Sequence, residues 1–169
     1  MAGLWSGLPY ILYMPEKTLE WMRGLFAPAR SKAAAQTPSG ETALVALLVR
    51  AARANDDYDS RQIAAIDAVM GRRFAQGPFE GAALRRKAEA LEAATGDTVH
   101  LTRAIKDILP LEERPALLED LWEVILADGK RHDAESGMMR LVSNLLGLND
   151  RDSAFARQRV ERRERSDQQ

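Results

Sequence analysis

The chain has no cysteine in its 169 residues. Disulfide bonds, thiolate metal sites and thiol catalysis are therefore excluded, and a reducing cytoplasm suits the composition. A dominant charge is missing as well: 24 Lys and Arg stand against 25 Asp and Glu, a formal net charge of -1. Nothing pulls the whole molecule toward nucleic acid or anionic membrane, so a charge-driven partner has to be met by a local patch. Long apolar runs are scarce. The stretch LWSGLPYILYM, residues 4–14, is far below the roughly 20 residues that cross a bilayer, carries Gly7 and Pro9, and lacks the basic leader of a signal peptide. Runs of β-branched or alternating residues, which mark strands, are also lacking.

What is present is an ordinary globular balance, 46% apolar and 29% charged, in a chain long enough for one cored domain with extensions. Aromatics are unevenly placed: Trp5, Tyr10, Tyr13, Trp21 and Phe26 all lie within the first 26 residues. Such a cluster has to be covered by the protein's own core, a partner or a membrane interface. Met22, opening MRGLFAPARSK, offers an alternative beginning for the translated chain. APARSKAAAQTPSG, residues 27–40, reads as a linker. The organisation expected is an aromatic arm (1–26), a linker (27–40), a helical domain (41–150) and an Arg-rich C-terminal helix or tail (151–169).

From Glu41 onward the periodicity is helical, and the expected fold is all-α, a bundle of about six to seven helices. Leu44, Leu47, Leu48, Ala51 and Ala52 form one apolar stripe. Asp59 followed by Gln62 resembles a capping box, opening a helix that turns Ile63, Ile66, Met70 and Phe74 inward. Gln76-Gly77-Pro78 starts a third helix with Phe79, Leu84, Ala88 and Leu91 as its candidate buried face. Gly96-Asp97 caps a fourth, burying Leu101, Ile105 and Ile108. Pro115 fits only a first turn, so a fifth helix begins near Glu112 to Arg114 and buries Leu118, Leu121, Trp122 and Ile125. A sixth, from His132 or Asp133, is expected to bury Met138, Leu141, Val142 and Leu145 before Gly147 stops it. The last runs from about Asp150.

Two helix–corner–helix units repeat 73 positions apart, with Ala54 set on Ala127. The corners are ARANDDYDSRQ (residues 52–62) and ILADGKRHDAE (residues 125–135), pairing Asn55 with Asp128, Asp56 with Gly129, Asp59 with His132 and Gln62 with Glu135. A duplicated hairpin buries its apolar faces against its copy. At the corners the acids cap helix ends, or bind a cation, or contact a protein. As cation ligands, Asp128 and Glu135 flank a turn whose carbonyls complete a hard-oxygen shell for calcium or magnesium. In the first corner the acids are Asp56, Asp57 and Asp59. That corner fails as an EF-hand, because Ser60 replaces the required glycine and Ile66 the bidentate glutamate. With His100 and His132 as the only nitrogen ligands, a transition metal is disfavoured.

At the C-terminus, Arg157, Arg159, Arg162, Arg163 and Arg165 are offset by Glu161 and Glu164, an excess of three positive charges. This is a solvated helix or an electrostatic foot for an acidic partner or anionic lipid. Nucleic acid is not expected, since no aromatics interleave the arginines. Phosphate loops, nucleophile elbows and zinc-protease signatures are missing, and the expectation is no enzyme.

LVRAARANDDYDSRQIAAIDAVMGRRF and LPLEERPALLEDLWEVILADGKRHDAESGMMRLVSNLLGL together resemble the tellurite-resistance protein B (TerB) family. The resemblance rests on the Ala-Asp-Gly corner followed by an acid in the next helix, and spans roughly residues 41–150. It implies a duplicated helical fold with an acidic cluster proposed to bind metal, in the bacterial cytoplasm or at the inner face of the membrane. Related domains in membrane-anchored J-domain co-chaperones imply docking. The family's acidic positions carry over to Asp128 and Glu135, whereas the first corner has the uncharged Asn55 and Gln62. Without thiols, reduction of tellurite by this chain is not expected. The expected function is thus a non-catalytic adaptor or accessory subunit of a larger, membrane-associated or cytoplasmic complex. Trp5, Tyr10, Tyr13, Trp21, Arg159, Arg162 and Arg163 are its candidate partner contacts. The alternative is a divalent-cation-binding stress protein.

Overall fold

Ser39 begins the first helix by accepting a hydrogen bond from the Thr42 backbone N–H at 3.3 Å, the usual way to satisfy an orphan donor. The computed structural model describes residues 38–55, 58–129 and 133–167. Among the described residues the fold is all-α, with seven helices and no strand. They are α1 (Gly40–Ala52), α2 (Ser60–Phe74), α3 (Pro78–Ala94), α4 (Thr98–Ile108), α5 (Arg114–Leu126), α6 (Asp133–Leu145) and α7 (Asp150–Asp167). Short 3-10 turns, Arg53–Asn55 and Leu111–Glu113, follow α1 and precede α5.

The boundaries follow local chemistry. Asp59 and Gln62 form the expected capping box: the Gln62 N–H donates to Asp59 Oδ1 at 3.0 Å and the Asp59 N–H to Gln62 Oε1 at 3.3 Å. Asp97 caps α4 through the His100 N–H at 2.7 Å. Pro78 and Pro115 sit in first turns, where a missing N–H costs nothing. Gly147, at φ +79°, ends α6. One ending differs from expectation: α2 stops at Ala75 in the left-handed region, φ +50°, a conformation that strains a residue bearing a Cβ.

The single stripe expected for α1 is corrected by the fold. Ala43 to Val49 are all buried, as are Ala51 and Ala52, because α3, α4 and α5 surround the helix. A helix apolar on every side belongs in the middle of a domain. α5 is buried over a broad face that leaves Glu119 and Glu123 partly exposed, enclosing the expected Leu118, Leu121, Trp122 and Ile125 and also Leu117 and Val124.

Three expected core residues lie outside. Phe79 is 87% exposed. It stands nine positions, two and a half turns, before the buried Ala88, and so on the opposite side of α3. Ile108 keeps the stripe's phase but ends α4 half uncovered, and Leu141 is 50% exposed. The buried face of α6 is turned by one residue from that expected: Met139 and Val142, with Leu146 just past the helix end, are inside, while Met138 and Leu145 are only partly covered.

The repeat explains that rotation. Shifted by 73 positions, Ser60 falls on Asp133, and the buried Gln62, Ile66, Val69 and Met70 of α2 fall on the buried Glu135, Met139, Val142 and Ser143 of α6. Leu44, Val45, Leu48 and Val49 of α1 likewise fall on Leu117, Leu118, Leu121 and Trp122 of α5. The duplication also runs on into a third helix. With a shift of 72, Gly81 and Ala88 of α3 meet Ser153 and Val160 of α7, all buried. The α1–α3 packing recurs as α5–α7, and α4 alone has no counterpart.

Candidate functional site

The second corner is built by the end of α5 and the start of α6. The Gly129 N–H donates to the Leu126 carbonyl at 2.9 Å, and Gly129 adopts φ +71°, a conformation that costs glycine little. The tight turn draws Asp128 inward until it is only 3% exposed. Glu135, third residue of α6, is also 3% exposed. Burying a carboxylate is unfavourable unless it is paired or liganded, and neither of these two is free. His132 lies outside the described residues.

The first corner has the same frame with other chemistry. Gln62, third in α2, is 1% exposed; its Oε1 completes the capping box, while its buried Nε2 has no partner among the described residues. Asp59 accepts the Arg61 and Gln62 N–H groups through Oδ1 and the Arg61 guanidinium through Oδ2 at 2.8 Å. The Gln62 N–H first, and then Arg61, hold the Asp59 carboxyl below the ordinary aspartate value. Asp59 is thus engaged as a helix cap. Asp56 and Asp57 lie outside the described residues. Tyr58 ties this corner to α3: its hydroxyl donates to Glu89 at 2.9 Å, and Arg53 stands 5.0 Å over its ring. Burial, then the Glu89 hydrogen bond and charge, pushes the phenol up to about 12. Among the described residues no group of three or more acidic or histidine side chains converges to hold a metal.

Beside the second corner, a cavity of about 390 Å³ opens between α2, α5 and α7, lined by Arg72, Glu123, Val160, Arg163 and Glu164. Its charges answer one another. Arg72 grips Glu123 at 2.8 Å and Asp120 at 3.4 Å, and the Arg73 Nε–H donates to the other Asp120 oxygen. Burial outweighs these guanidiniums and leaves the Asp120 carboxyl titrating above the ordinary range. Burial, with Glu123 and Glu161 as like charges, raises Glu164 too.

This helical repeat, with its Ala-Asp-Gly corner and buried acid, agrees with a match to the family model "Tellurite resistance protein TerB" over residues 41–158. The chain belongs to the TerB family. No curated protein and no solved structure matches it. The family match reaches into α7 as far as Gln158, so the TerB region takes in the first half of the Arg-rich helix.

The partner contacts expected from the TerB-like sequence divide. Trp5, Tyr10, Tyr13 and Trp21 lie outside the described residues. Arg159 and Arg163 close on the two oxygens of Glu119 in α5, at 2.6 and 2.5 Å, whereas the Arg162 Nε–H reaches only the Gln158 carbonyl at 3.5 Å. Sequence reasoning missed Glu119, which lies 40 and 44 positions from these arginines. It also missed the stack of Arg151 on the half-exposed Phe155, 5.3 Å to the ring centroid, although the i, i+4 spacing carries that signal. Among the described residues no helix is long and apolar enough to cross a membrane.

Proposed function

We propose that this TerB-family chain is a non-catalytic adaptor that docks onto a larger complex, in the cytoplasm or at the cytoplasmic face of the inner membrane. One observation carries the reading. Inside the domain, charged groups are matched to one another, while Phe79, Val99, Ile108, Leu111, Leu141 and Phe155 stand exposed on the surface. Scattered apolar residues are common on any surface, but a side chain as uncovered as Phe79 is a natural anchor for a partner. The aromatic arm, with Trp5, Tyr10, Tyr13 and Trp21, adds a second grip. The test is affinity capture of the full chain from native membranes and cytosol beside a variant lacking residues 1–26. The expected result is a stoichiometric partner that is lost with the arm while the helical core stays folded. A partner retained in full by the shortened chain removes the arm from the proposal, and the absence of any partner from either fraction removes the adaptor.

A second reading, a divalent-cation-binding stress protein, draws on the burial of Asp128 and Glu135 at the Gly129 turn. Two carboxylates supply part of the six to eight oxygens that calcium takes, leaving the remainder to carbonyls and water. Calorimetric titration with calcium, magnesium and zinc, comparing the unaltered chain with Asp128→Asn and Glu135→Gln, decides it. Identical heats from all three proteins abolish this reading.

A further inference from the structure

The outward face of α7 is a basic stripe. Arg151, Phe155, Gln158, Arg162 and Arg165 recur at i, i+4, i+7, i+11 and i+14, opposite the buried Ser153, Ala156 and Val160. At 1.5 Å per residue the stripe is about 21 Å long. Every arginine of α7 that points toward the flanks has found a carboxylate: Arg157 meets Glu161 at 2.8 Å, and Arg159 and Arg163 share Glu119. Arg151, Arg162 and Arg165 have none among the described residues. Arg151 lies on the Phe155 ring, and Arg162 and Arg165 donate only to the carbonyls one turn back. No acid interrupts the stripe. Asp152 lies about 100° to one side of its mid-line and Glu161 about 80° to the other, one turn before Arg165, given the helical period.

The geometry points to this face as the docking surface for an acidic protein segment, a helix whose carboxylates follow the same spacing. The inference rests on the adaptor reading and specifies its surface. Three charges without a counter-ion, held by a helix that is itself fixed to α5, are pre-positioned to receive carboxylates, and a stacked Phe155 supplies apolar contact at one end. The shape selects against a bilayer. A lipid plane meets the flanking Asp152 and Glu161 together with the arginines, and a single phenylalanine falls well short of the apolar face by which helices seat in an interface. A narrow acidic rod touches the stripe alone.

The test places the photo-crosslinker p-benzoylphenylalanine at Gln158 of the full chain and, as a control, at the exposed Ala90 of α3. The expected result is an adduct from position 158 and none from 90, mapping to a segment with carboxylates three or four residues apart. Its yield should fall at least tenfold in the triple variant Arg151→Glu, Arg162→Glu, Arg165→Glu, and steeply with added salt. The full chain should not sediment with phosphatidylglycerol vesicles, nor bind a 30-base-pair DNA duplex, at physiological salt. Adducts outside acidic segments, an unaffected triple variant, or binding to the vesicles or the duplex overturn the inference. Capture of a partner with no adduct at 158 overturns this surface and leaves the adaptor standing. Failure to capture any partner brings down both.

Discussion

Gln62 and Glu135 occupy one position in two copies of the same motif, each third in its helix and each withdrawn from solvent. In one copy the position carries a neutral amide with an orphan N–H; in the other it carries a carboxylate.

That difference makes Gln62→Glu informative. The new carboxylate places a charge at a position that is only 1% exposed to solvent. A loss of about 2 kcal/mol at pH 7 is expected, the usual cost of an unsatisfied buried polar group. The folded-state value of such a glutamate is raised, so the penalty is full above it and shrinks as pH falls toward the unfolded value of about 4.3. Urea unfolding at pH 7 and pH 4 checks this. An equal loss at both values rules out the electrostatic origin.

Asp120 falls on Leu47 in the repeat, so a charge sits where the other copy holds a leucine. Asp120→Leu alone strands the largely buried Arg73 guanidinium and should cost about 3 kcal/mol. Asp120→Leu combined with Arg73→Met should come within about 1 kcal/mol of the unaltered chain, because a matched apolar pair replaces a buried ion pair at little cost. The double-mutant cycle measures the coupling directly.

The Tyr58 phenol provides a spectroscopic reporter of the first corner. In a Tyr10→Phe, Tyr13→Phe background it is the one remaining tyrosine. Its ionisation, followed by ultraviolet absorbance, is expected near 12 rather than 10. Burial is the larger cause, so Glu89→Gln should lower the midpoint only part of the way. A midpoint at 10 in the folded protein contradicts the contact.

Asp59 gives the opposite pH dependence to a buried acid. Its folded value is depressed, so its stabilisation is present above the unfolded value of 3.8 and is lost as pH falls through the folded value. Asp59→Asn keeps an acceptor for the Arg61 and Gln62 N–H groups but gives up the charge. The unaltered chain should therefore lead Asp59→Asn at pH 6, with the gap closing as acid is added below pH 3.8. Thermal melts across that range test it.

Gly129→Ala forces a Cβ into the left-handed region and should destabilise by about 1 kcal/mol, although nothing crowds the new atom. Gly129→Asn should cost less, since asparagine visits that region more readily. Equal melting temperatures for the two variants would show that the turn relaxes.

Helix boundaries were legible because their causes are local: the Asp59–Gln62 capping box, the Asp97 cap, the first-turn Pro78 and Pro115, and Gly147 each act within a few residues. Helix faces were less legible. Leu141 counts as core on hydropathy alone, yet the repeat places it on the exposed Ala68, so the duplication already in the sequence held the correction. The third repeated helix was hidden because α3 and α7 share small buried residues and not similar ones. Of the candidate site, Asp128 and Glu135 could be picked out as acids at a glycine turn. Their burial could not, because it depends on how α5 and α6 pack. The pairing of Glu119 with Arg159 and Arg163 joins residues 40 and more apart, and nothing local announces it.

The enclosure of α1 also bears on how the chain is made. Seven consecutive water-avoiding residues leave the ribosome well ahead of α5, which completes their surroundings and emerges only some 70 residues later. At 5–20 residues per second, that interval lasts about 4 to 15 seconds. Throughout it the nascent segment lacks the cover of α5, and apolar surface left open in this way is what makes unfinished chains prone to associate.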